Sequence, residues 1–298
     1  MDSIPEWYTR IMFNDGYLLP ELQLEMPLYR YRSNLHYASE EIKTGNIFLA
    51  PLDSLNDPFD SSYALSYEEA LEDKKPADYY YACCYFFQDK PWYQNVKGQI
   101  SERAKEAVTL REFGNLLSSI IQETGDVYPA SAICKNYYKY ALRDYPKRQL
   151  GRVACFSETW DSIPMWAYYA NAHKGVCFKY DFSMLDNKDP TFEHTIKSIR
   201  KVWYSNTRPE DKHGLYSQFI KGLPWAHEQE WRLFRQFGGE FAYLPCVTEI
   251  YLGAQICVHD KQFDELIGAI KTASHKITPF FLFPEPDKYS FRKVPLLL

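Results

Sequence analysis

The sequence predicts an α+β fold, in which a mixed, largely antiparallel sheet is surrounded by peripheral helices. Short apolar runs of strand length greatly outnumber regular strand–helix–strand alternations, and this ratio favours a mixed or antiparallel sheet. Hydrophobic residues make up 46% of the 298-residue chain, so we expect an ordered core and not a disordered chain. We expect a single α+β domain, 1–298, that contains a helical insertion at 76–148.

The first elements are a strand, a helix and a second strand. Leu28–Tyr31 has the pattern of a short strand. Ser33 can cap a helix that runs to about Thr44, and Gly45 stands where a left-handed helix end is wanted. Ile47–Ala50 is the next strand.

The insertion contains one clear helix. Thr109 and Glu112 form the pair of a capping box, and Gly125 ends the helix. Apolar residues follow the cap at helical spacing, at Leu110, Phe113, Leu117 and Ile120. This region is predicted to cover part of the main domain.

The last part of the chain alternates strands with two helices. Asp161 or Ser162 can cap a helix that ends at Gly175, and Asp260 caps an amphipathic helix. The predicted strands are Val153–Phe156, Val176–Tyr180, Glu230–Arg235, Glu249–Leu252 and Thr278–Phe283.

Charge and cysteine usage narrow the class of protein. The net charge of −5 gives no long-range attraction to nucleic acid or to an anionic membrane. No apolar run is long enough to span a bilayer, and the N-terminus lacks the order of a secretory signal. The seven cysteines are an odd number without CxxC spacing. We therefore expect reduced, mostly buried thiols and a cytoplasmic location.

The segment Glu228–Arg232 is the strongest candidate for chemistry. If it is a strand, Glu228, Glu230 and Arg232 share one face. Two neighbouring carboxylates raise one pKa, and Arg232 opposes that effect. Such a pair can stabilise a positive transition state and orient an acceptor. On spacing alone, a solvated strand face with a salt bridge is the favoured interpretation.

Two further groups of residues are candidates for ligand binding. Arg30 and Arg32 lie on one strand face and could hold a phosphate, although two surface arginines are the commoner case. Trp166 and Tyr169 lie on one helical face, where they could stack on a flat ring or belong to the core. Ser157, which follows a strand, lacks the small-residue turn of a serine hydrolase.

Metal binding has little support in the sequence. Asn56–Asp60 offers oxygen ligands but lacks the ligand series of a calcium loop, so an Asx-turn fixed by Pro58 is expected. The seven histidines show neither HxxxH nor HxH spacing. We therefore expect no metal site.

Six motifs together resemble a widespread bacterial family of uncharacterised function. The resemblance covers about residues 28–64 and 150–256, and it leaves 76–148 unexplained. The motifs are LYRYRS at 28–33, NDPFD at 56–60, ACFSE at 154–158, PMWAYYA at 164–170, KGVCFKYD at 174–181 and EQEWR at 228–232.

The order of three of these motifs also resembles the ADP-ribosyltransferase superfamily. Tyr29-Arg30, Phe156-Ser157 and Glu228-Gln-Glu230 follow one another as the Arg, Ser and E-x-E elements of those enzymes do. The resemblance implies a split sheet and NAD as the substrate. It also implies an acceptor that is a protein or a nucleic acid, as in a toxin or defence effector.

The same resemblance implies a role for each site residue. Glu230 would stabilise the oxocarbenium-like ribose, and Glu228 would orient or deprotonate the acceptor. Arg30, after Tyr29, would hold a phosphate or ribose of NAD. Ser157 would position Glu230. The stacking partner of nicotinamide would be Tyr169 or Trp166.

Two alternatives remain open. The aromatic stripe and the lack of a self-sufficient nucleophile–base pair also fit a non-enzymatic module that binds a ligand or a protein. A metal-dependent hydrolase or nuclease would use four acidic residues, and their scattered positions argue against it. These residues are Asp57, Asp60, Glu228 and Glu230.

Overall fold

A computed structural model describes most of the chain. The described residues are 26–62, 66–72, 87–103, 107–139, 151–186, 188–208, 217–236 and 238–298. Two compact units divide the chain. Unit 1 comprises 1–51, 151–207 and 219–298, and unit 2 comprises 52–150 and 208–218. The expectation of one domain with an insertion at 76–148 stays a prediction.

Unit 1 is built on a nine-stranded sheet with the order β13-β12-β11-β5-β1-β4-β9-β6, and β3 pairs with β4 outside this path. The pair β11–β12 is parallel and the other pairs of this sheet are antiparallel. The predicted α+β class with a mixed, largely antiparallel sheet is therefore confirmed. The strands of the large sheet are β1 Leu28–Arg32, β3 Ala50–Pro51, β4 Arg152–Ser157, β5 Val176–Tyr180, β6 Ile199–Lys201, β9 Glu230–Arg235, β11 Val247–Leu252, β12 Thr278–Pro284 and β13 Phe291–Pro295.

Two short sheets complete the strands of unit 1. One pairs β2 with β10 in antiparallel fashion, and the other pairs β7 with β8 in parallel. Their strands are β2 Asn46–Phe48, β7 Trp203–Ser205, β8 Ile220–Gly222 and β10 Phe241–Tyr243. Short 3-10 helices lie at Phe182–Met184 and Leu223–Glu228.

Helices cover both faces of the large sheet. On one face, α1 (Leu35–Thr44) and α8 (Lys261–Lys271) pack into the core cluster that contains Phe178 of β5. On the other face, α6 (Ile163–Tyr169) places Trp166 in a smaller cluster with Tyr31 of β1. Leu28 of β1 belongs to the first cluster and Tyr31 to the second, so residues on opposite faces of this strand contact different cores. A further helix, α7, spans Pro190–Lys197.

The ends of α1 show how local chemistry sets a boundary. Its cap is Asn34, whose side-chain oxygen accepts a hydrogen bond from the Tyr37 N–H at 3.1 Å, so the prediction of Ser33 is wrong by one residue. Asn and Ser cap equally well, and composition alone does not choose between neighbours. Gly45 ends the helix with a φ of 66°, as predicted.

The helix α6 is shorter than predicted. It follows Ser162, one of the two predicted cap positions, but it ends at Tyr169 and not near Gly175. The next residues, Asn171 to His173, all have positive φ, which breaks the helical path. The cap at Asp260 of α8 is confirmed, because its carboxylate accepts from the Gln262 N–H at 2.9 Å.

The described helices of unit 2 are α2 (Tyr67–Leu71), α3 (Tyr93–Arg103), α4 (Leu110–Glu123) and α5 (Ala130–Tyr137). They form a core cluster of their own. The predicted capping box of Thr109 and Glu112 begins α4, and Gly125 follows its end with a φ of 85°. A 3-10 helix, Leu52–Ser54, opens the unit.

The described cysteines form no disulfide bond. Cys134, Cys155, Cys177, Cys246 and Cys257 are free, and three of them are buried. The adjacent pair Cys83-Cys84 lies outside the described residues. No helix in the described part of the chain has the length and apolar character needed to cross a membrane.

Candidate functional site

A row of polar side chains crosses one face of the large sheet. Residues opposite each other on paired strands point to the same face, and the register places Tyr29 between Lys179 and Ser157. Ser157 is opposite Glu230, and Lys179 is opposite Glu249. The row therefore joins five neighbouring strands, and it ends at the E-x-E segment.

Four buried charged residues meet at that end of the row, and we call them the carboxylate cluster: Lys221, Glu228, Glu230 and Arg232. The Glu230 carboxylate accepts from Arg232 Nε at 2.8 Å and from Arg232 Nη2 at 2.9 Å. The Lys221 ammonium donates to Glu230 at 3.2 Å and also to Glu228. Each side chain is no more than 4% exposed. One ammonium thus connects both carboxylates.

Glu228 enters this cluster by a different route from the one predicted. It ends the 3-10 helix Leu223–Glu228 and is not part of the strand, which begins at Glu230. Gln229 between them has a φ of 45°, a left-handed conformation that turns the chain. The prediction that Glu228 and Glu230 share a strand face is therefore wrong. The two carboxylates meet because the turn brings Glu228 back to Lys221.

The cluster shifts the two glutamate pKa values in opposite directions. Burial raises the pKa of Glu228, and the negative charge of Glu230 raises it further, against the effects of Lys221 and Tyr169. Burial would also raise the pKa of Glu230, but Arg232 and Lys221 together outweigh it and lower that pKa. Glu230 is therefore held ionised, while Glu228 keeps a stronger hold on a proton. Pairs of carboxyl groups with such divergent environments are typical of acid–base sites.

Three hydroxyl groups fix the backbone and side chains of the cluster. Tyr169, which ends α6, donates its hydroxyl to the Glu228 carboxylate at 2.6 Å. The Ser157 hydroxyl donates to the backbone carbonyl of Glu228, also at 2.6 Å. The Tyr204 hydroxyl accepts from the backbone N–H of Glu230 at 2.8 Å. Ser157 thus contacts the backbone of Glu228, whereas the resemblance implied that it would position Glu230.

Arg30 does not face the carboxylate cluster. It follows Tyr29 in β1, so its side chain points to the opposite face of the sheet. There the guanidinium donates to the carbonyl of Phe48 at 3.0 Å and lies 3.7 Å from Glu41. The structure brings together Tyr29, Ser157 and Glu230 of the predicted set, and it places Arg30 elsewhere.

Trp166 is a core residue. Its side chain is completely buried, and its indole N–H donates to the carbonyl of Trp160 at 2.7 Å. Its ring meets Tyr31 edge-on, with the centroids 5.3 Å apart. No face of this indole is open to a ligand. Of the two predicted stacking residues, the half-buried Tyr169 is the one that reaches the site.

Sequence reasoning missed Lys221 and Tyr204. Lys221 lies in the short strand Ile220–Gly222, where a single lysine among apolar neighbours would ordinarily be taken for a surface residue. Its ammonium also lies 4.9 Å from the ring centroid of Trp225. A buried lysine needs a carboxylate partner, and the pair Glu228 and Glu230 was the available signal.

The described residues contain no group of three or more His, Cys, Asp or Glu side chains that could hold a metal ion. The NDPFD motif forms the Asx-turn that was predicted. The Asp57 side chain accepts from the Phe59 N–H at 2.8 Å. The motif therefore shapes a turn in unit 2.

Comparison with known proteins gives a family of unknown function. Residues 165–233 match the family model described as a protein of unknown function, DUF2971. No curated protein and no solved structure matches the chain. The matched segment contains the whole carboxylate cluster and Tyr169, and it begins after Ser157. The chain is therefore similar to an uncharacterised family over the segment that supplies these side chains.

Proposed function

We propose that the carboxylate cluster is the active centre of an enzyme like the ADP-ribosyltransferases, which transfers ADP-ribose from NAD to a macromolecule. The observation that carries this proposal is the pair Glu228 and Glu230. Both bind Lys221, and their pKa values are shifted in opposite directions. Cleavage of a glycosidic bond followed by transfer needs one lasting negative charge and one proton acceptor.

Glu230 supplies the lasting negative charge. When nicotinamide leaves, the ribose carbon becomes positively charged, and a carboxylate close to a ribose hydroxyl stabilises that charge. A carboxylate has about four lone-pair positions. Arg232 and Lys221 occupy three of them. The Cys155 thiol, a weak donor, takes the fourth position. A ribose hydroxyl would replace that thiol.

Glu228 supplies the proton acceptor. Its raised pKa brings its proton affinity closer to neutral pH, which makes it a better base toward an acceptor hydroxyl or amine. Tyr169 and Lys221 hold the two oxygens of this carboxylate in place. The acceptor proton would pass to Glu228 as the acceptor attacks the ribose carbon.

Aromatic side chains beside the carboxylate cluster offer a surface on which the substrate can stack. Tyr29 and Tyr169 are half-buried and lie on the same face as the carboxylates. Rings of this kind stack on flat heterocycles such as nicotinamide or adenine. Arg30 and Trp166 have no part in the proposed site, because one lies on the opposite face and the other is fully enclosed.

The proposal is tested by incubating the purified protein with NAD and with cell extract as a source of protein and nucleic-acid acceptors. Release of free nicotinamide and transfer of labelled ADP-ribose are measured. Glu230→Gln keeps the shape of the side chain and removes its charge. We expect it to lower the rate at least about 100-fold, the usual effect of losing one transition-state stabiliser.

Glu240→Gln is the matched control. Glu240 is an exposed carboxylate that pairs with Arg152 at 2.7 Å. Its substitution therefore removes the same charge as Glu230→Gln, but outside the carboxylate cluster. Its rate should stay within twofold of the unmodified protein. Melting temperatures of both variants show whether each is folded. Absence of nicotinamide release from the unmodified protein, or equal release from Glu230→Gln, would refute the proposal.

A further inference from the structure

A cavity of about 640 Å³ lies on the other side of the large sheet, beside α1 and the β2–β10 pair. Its walls include Arg32, Tyr37, Glu41, Phe48 and Phe241. Arg32 lies two positions after Arg30 in β1, so their side chains share one face, which is opposite to that of the carboxylate cluster. Volumes of this size suit a small-molecule ligand.

The charge beside this cavity is unbalanced. We call Arg30, Arg32 and Glu41 the arginine cluster. Glu41 lies 3.1 Å from Arg32 Nε and 3.7 Å from Arg30 Nε, so one carboxylate faces two guanidinium groups. Glu41 also accepts from the Tyr180 hydroxyl. The cluster therefore keeps an excess positive charge in a largely buried place.

The arginine cluster also has hydrogen-bond donors that no described residue uses. Arg32 Nε and Glu41 Oε2 face each other at 3.1 Å as an ion pair whose geometry forms no hydrogen bond, and Arg30 Nε also has no hydrogen-bond partner. Within the described part of the chain, the Arg32 guanidinium makes its ion pair with Glu41 but no hydrogen bond. The two terminal nitrogens of Arg32 therefore keep their capacity to donate. A planar guanidinium suits an anion with two acceptor oxygens.

The other charged groups at the cavity already have partners. His36 bonds Glu265 at 3.0 Å, and Glu40 pairs with Lys43 at 2.9 Å. Lys43 also pairs with Glu265 at 3.0 Å, so both carboxylates are engaged away from Arg32, whose own ion pair is with Glu41. Arg32 is the cation that a ligand in this cavity would meet.

Aromatic rings form the outer part of the cavity. Phe48 and Phe241 meet edge to face with centroids 5.8 Å apart, and they are 37% and 55% exposed. Tyr37 is 61% exposed. Large rings grouped around a cavity gain free energy when a flat apolar surface covers them.

We propose that this cavity binds a small flat aromatic molecule that carries a phosphate or a carboxylate. The anion lies on the free edge of the Arg32 guanidinium, and the ring packs against Phe48 and Phe241. This site is separate from the proposed NAD chemistry, because the two lie on opposite faces of the sheet.

Isothermal titration calorimetry tests the proposal with two ring–anion probes, AMP and 1-naphthoate. Comparing their dissociation constants shows whether the cavity prefers a phosphate or a carboxylate. Adenosine and inorganic phosphate serve as half-ligands, and each should bind at least about tenfold more weakly than AMP. Arg32→Gln should weaken the better probe about tenfold to a hundredfold, the usual effect of losing a charge-assisted hydrogen bond. Arg292→Gln is the matched control, since Arg292 is an exposed arginine outside the cavity.

A second variant keeps the test decisive if Arg32→Gln does not fold. Phe241→Ala removes an exposed ring and leaves the arginine cluster intact, and it should also weaken the probe. Glu230→Gln should bind as the unmodified protein does, which separates this cavity from the carboxylate cluster. Failure of both probes to bind at millimolar concentration would overturn the proposal. So would unchanged binding in Arg32→Gln or, if that variant is unfolded, in Phe241→Ala.

Discussion

The two faces of the large sheet carry two buried ion clusters of opposite balance. The carboxylate cluster combines two carboxylates with one lysine and one arginine, so its formal charges cancel. The arginine cluster sets two arginines against the single carboxylate of Glu41. The first lies around β9 and the second beside β1, and the Arg32 side chain, 18% exposed, is the most open member of either cluster. Their difference lies in the ratio of charges and not in the residue types.

This ratio determines what each cluster can do. In the balanced cluster, the two carboxylates compete for one ammonium, and one of them has a raised pKa and the other a lowered one. Such a site can move a proton. In the unbalanced cluster, burial and the charge of Arg30 lower the pKa of Arg32 against the pull of Glu41. Such a site can hold an anion.

The largest expected effect concerns the loss of one carboxylate from each cluster. Glu41→Gln leaves two buried arginines without a counter-charge, and breaking a buried ion pair in this way costs about 3–5 kcal/mol of stability. Glu228→Gln leaves Lys221 paired with Glu230 and should cost about 1 kcal/mol or less, within the ordinary range of single substitutions. Urea denaturation measures both. Equal losses would show that charge balance does not separate the clusters.

The second largest expected effect is the stability lost when a tyrosine hydroxyl that donates to a carboxylate is removed. Tyr180 is fully buried and bonds Glu41, while Tyr169 is half-buried and bonds Glu228. Tyr180→Phe should cost about 1.5–3 kcal/mol, because a hydrogen bond to a charged group is lost where water cannot replace it. Tyr169→Phe should cost less, since water can reach that position. Thermal denaturation of the two variants gives the order, and a larger cost for Tyr169→Phe would contradict it.

Much of the fold could be predicted because its elements are specified locally. The strands Val176–Tyr180 and Glu230–Arg235 were predicted at the boundaries that the structure shows. The capping box at Thr109 was visible from two residues, because its bonds join neighbours in the chain. The end of α6 at Tyr169 could not be predicted in this way, because Asn171 to His173 adopt positive φ although none of them is glycine.

The candidate site was predicted only in part, because its contacts depend on long-range pairing. The register that puts Tyr29 beside Ser157, and Ser157 beside Glu230, joins residues far apart in sequence. Strand alternation already implied that Tyr29 and Arg30 point to opposite faces, but the sequence does not say which face meets the carboxylates. Lys221 gave no local signal, since a lysine becomes recognisable as a buried ion only when its partners are known.

The smallest expected effect is the pH dependence of stability that Glu230 confers. Its pKa is lowered in the folded protein, because Arg232 and Lys221 outweigh the effect of burial. The unfolded state therefore takes up more protons as the pH falls below the ordinary glutamate pKa of about 4.3. The contribution of Glu230 is complete above that pKa and is lost on acidification. Between pH 5 and pH 3.5, the unmodified protein should lose about 1 kcal/mol more stability than Glu230→Gln.

Glu228 provides the comparison that makes this last measurement specific. Its pKa is raised in the folded protein, so its contribution is complete at low pH and is lost as the pH rises through that raised pKa. Removing it in Glu228→Gln should therefore leave an acid loss at least as large as that of the unmodified protein. Urea denaturation at each pH gives the free energies. If both variants reduced the acid loss, the two carboxylates would titrate alike, and the division into a fixed charge and a proton acceptor would fail.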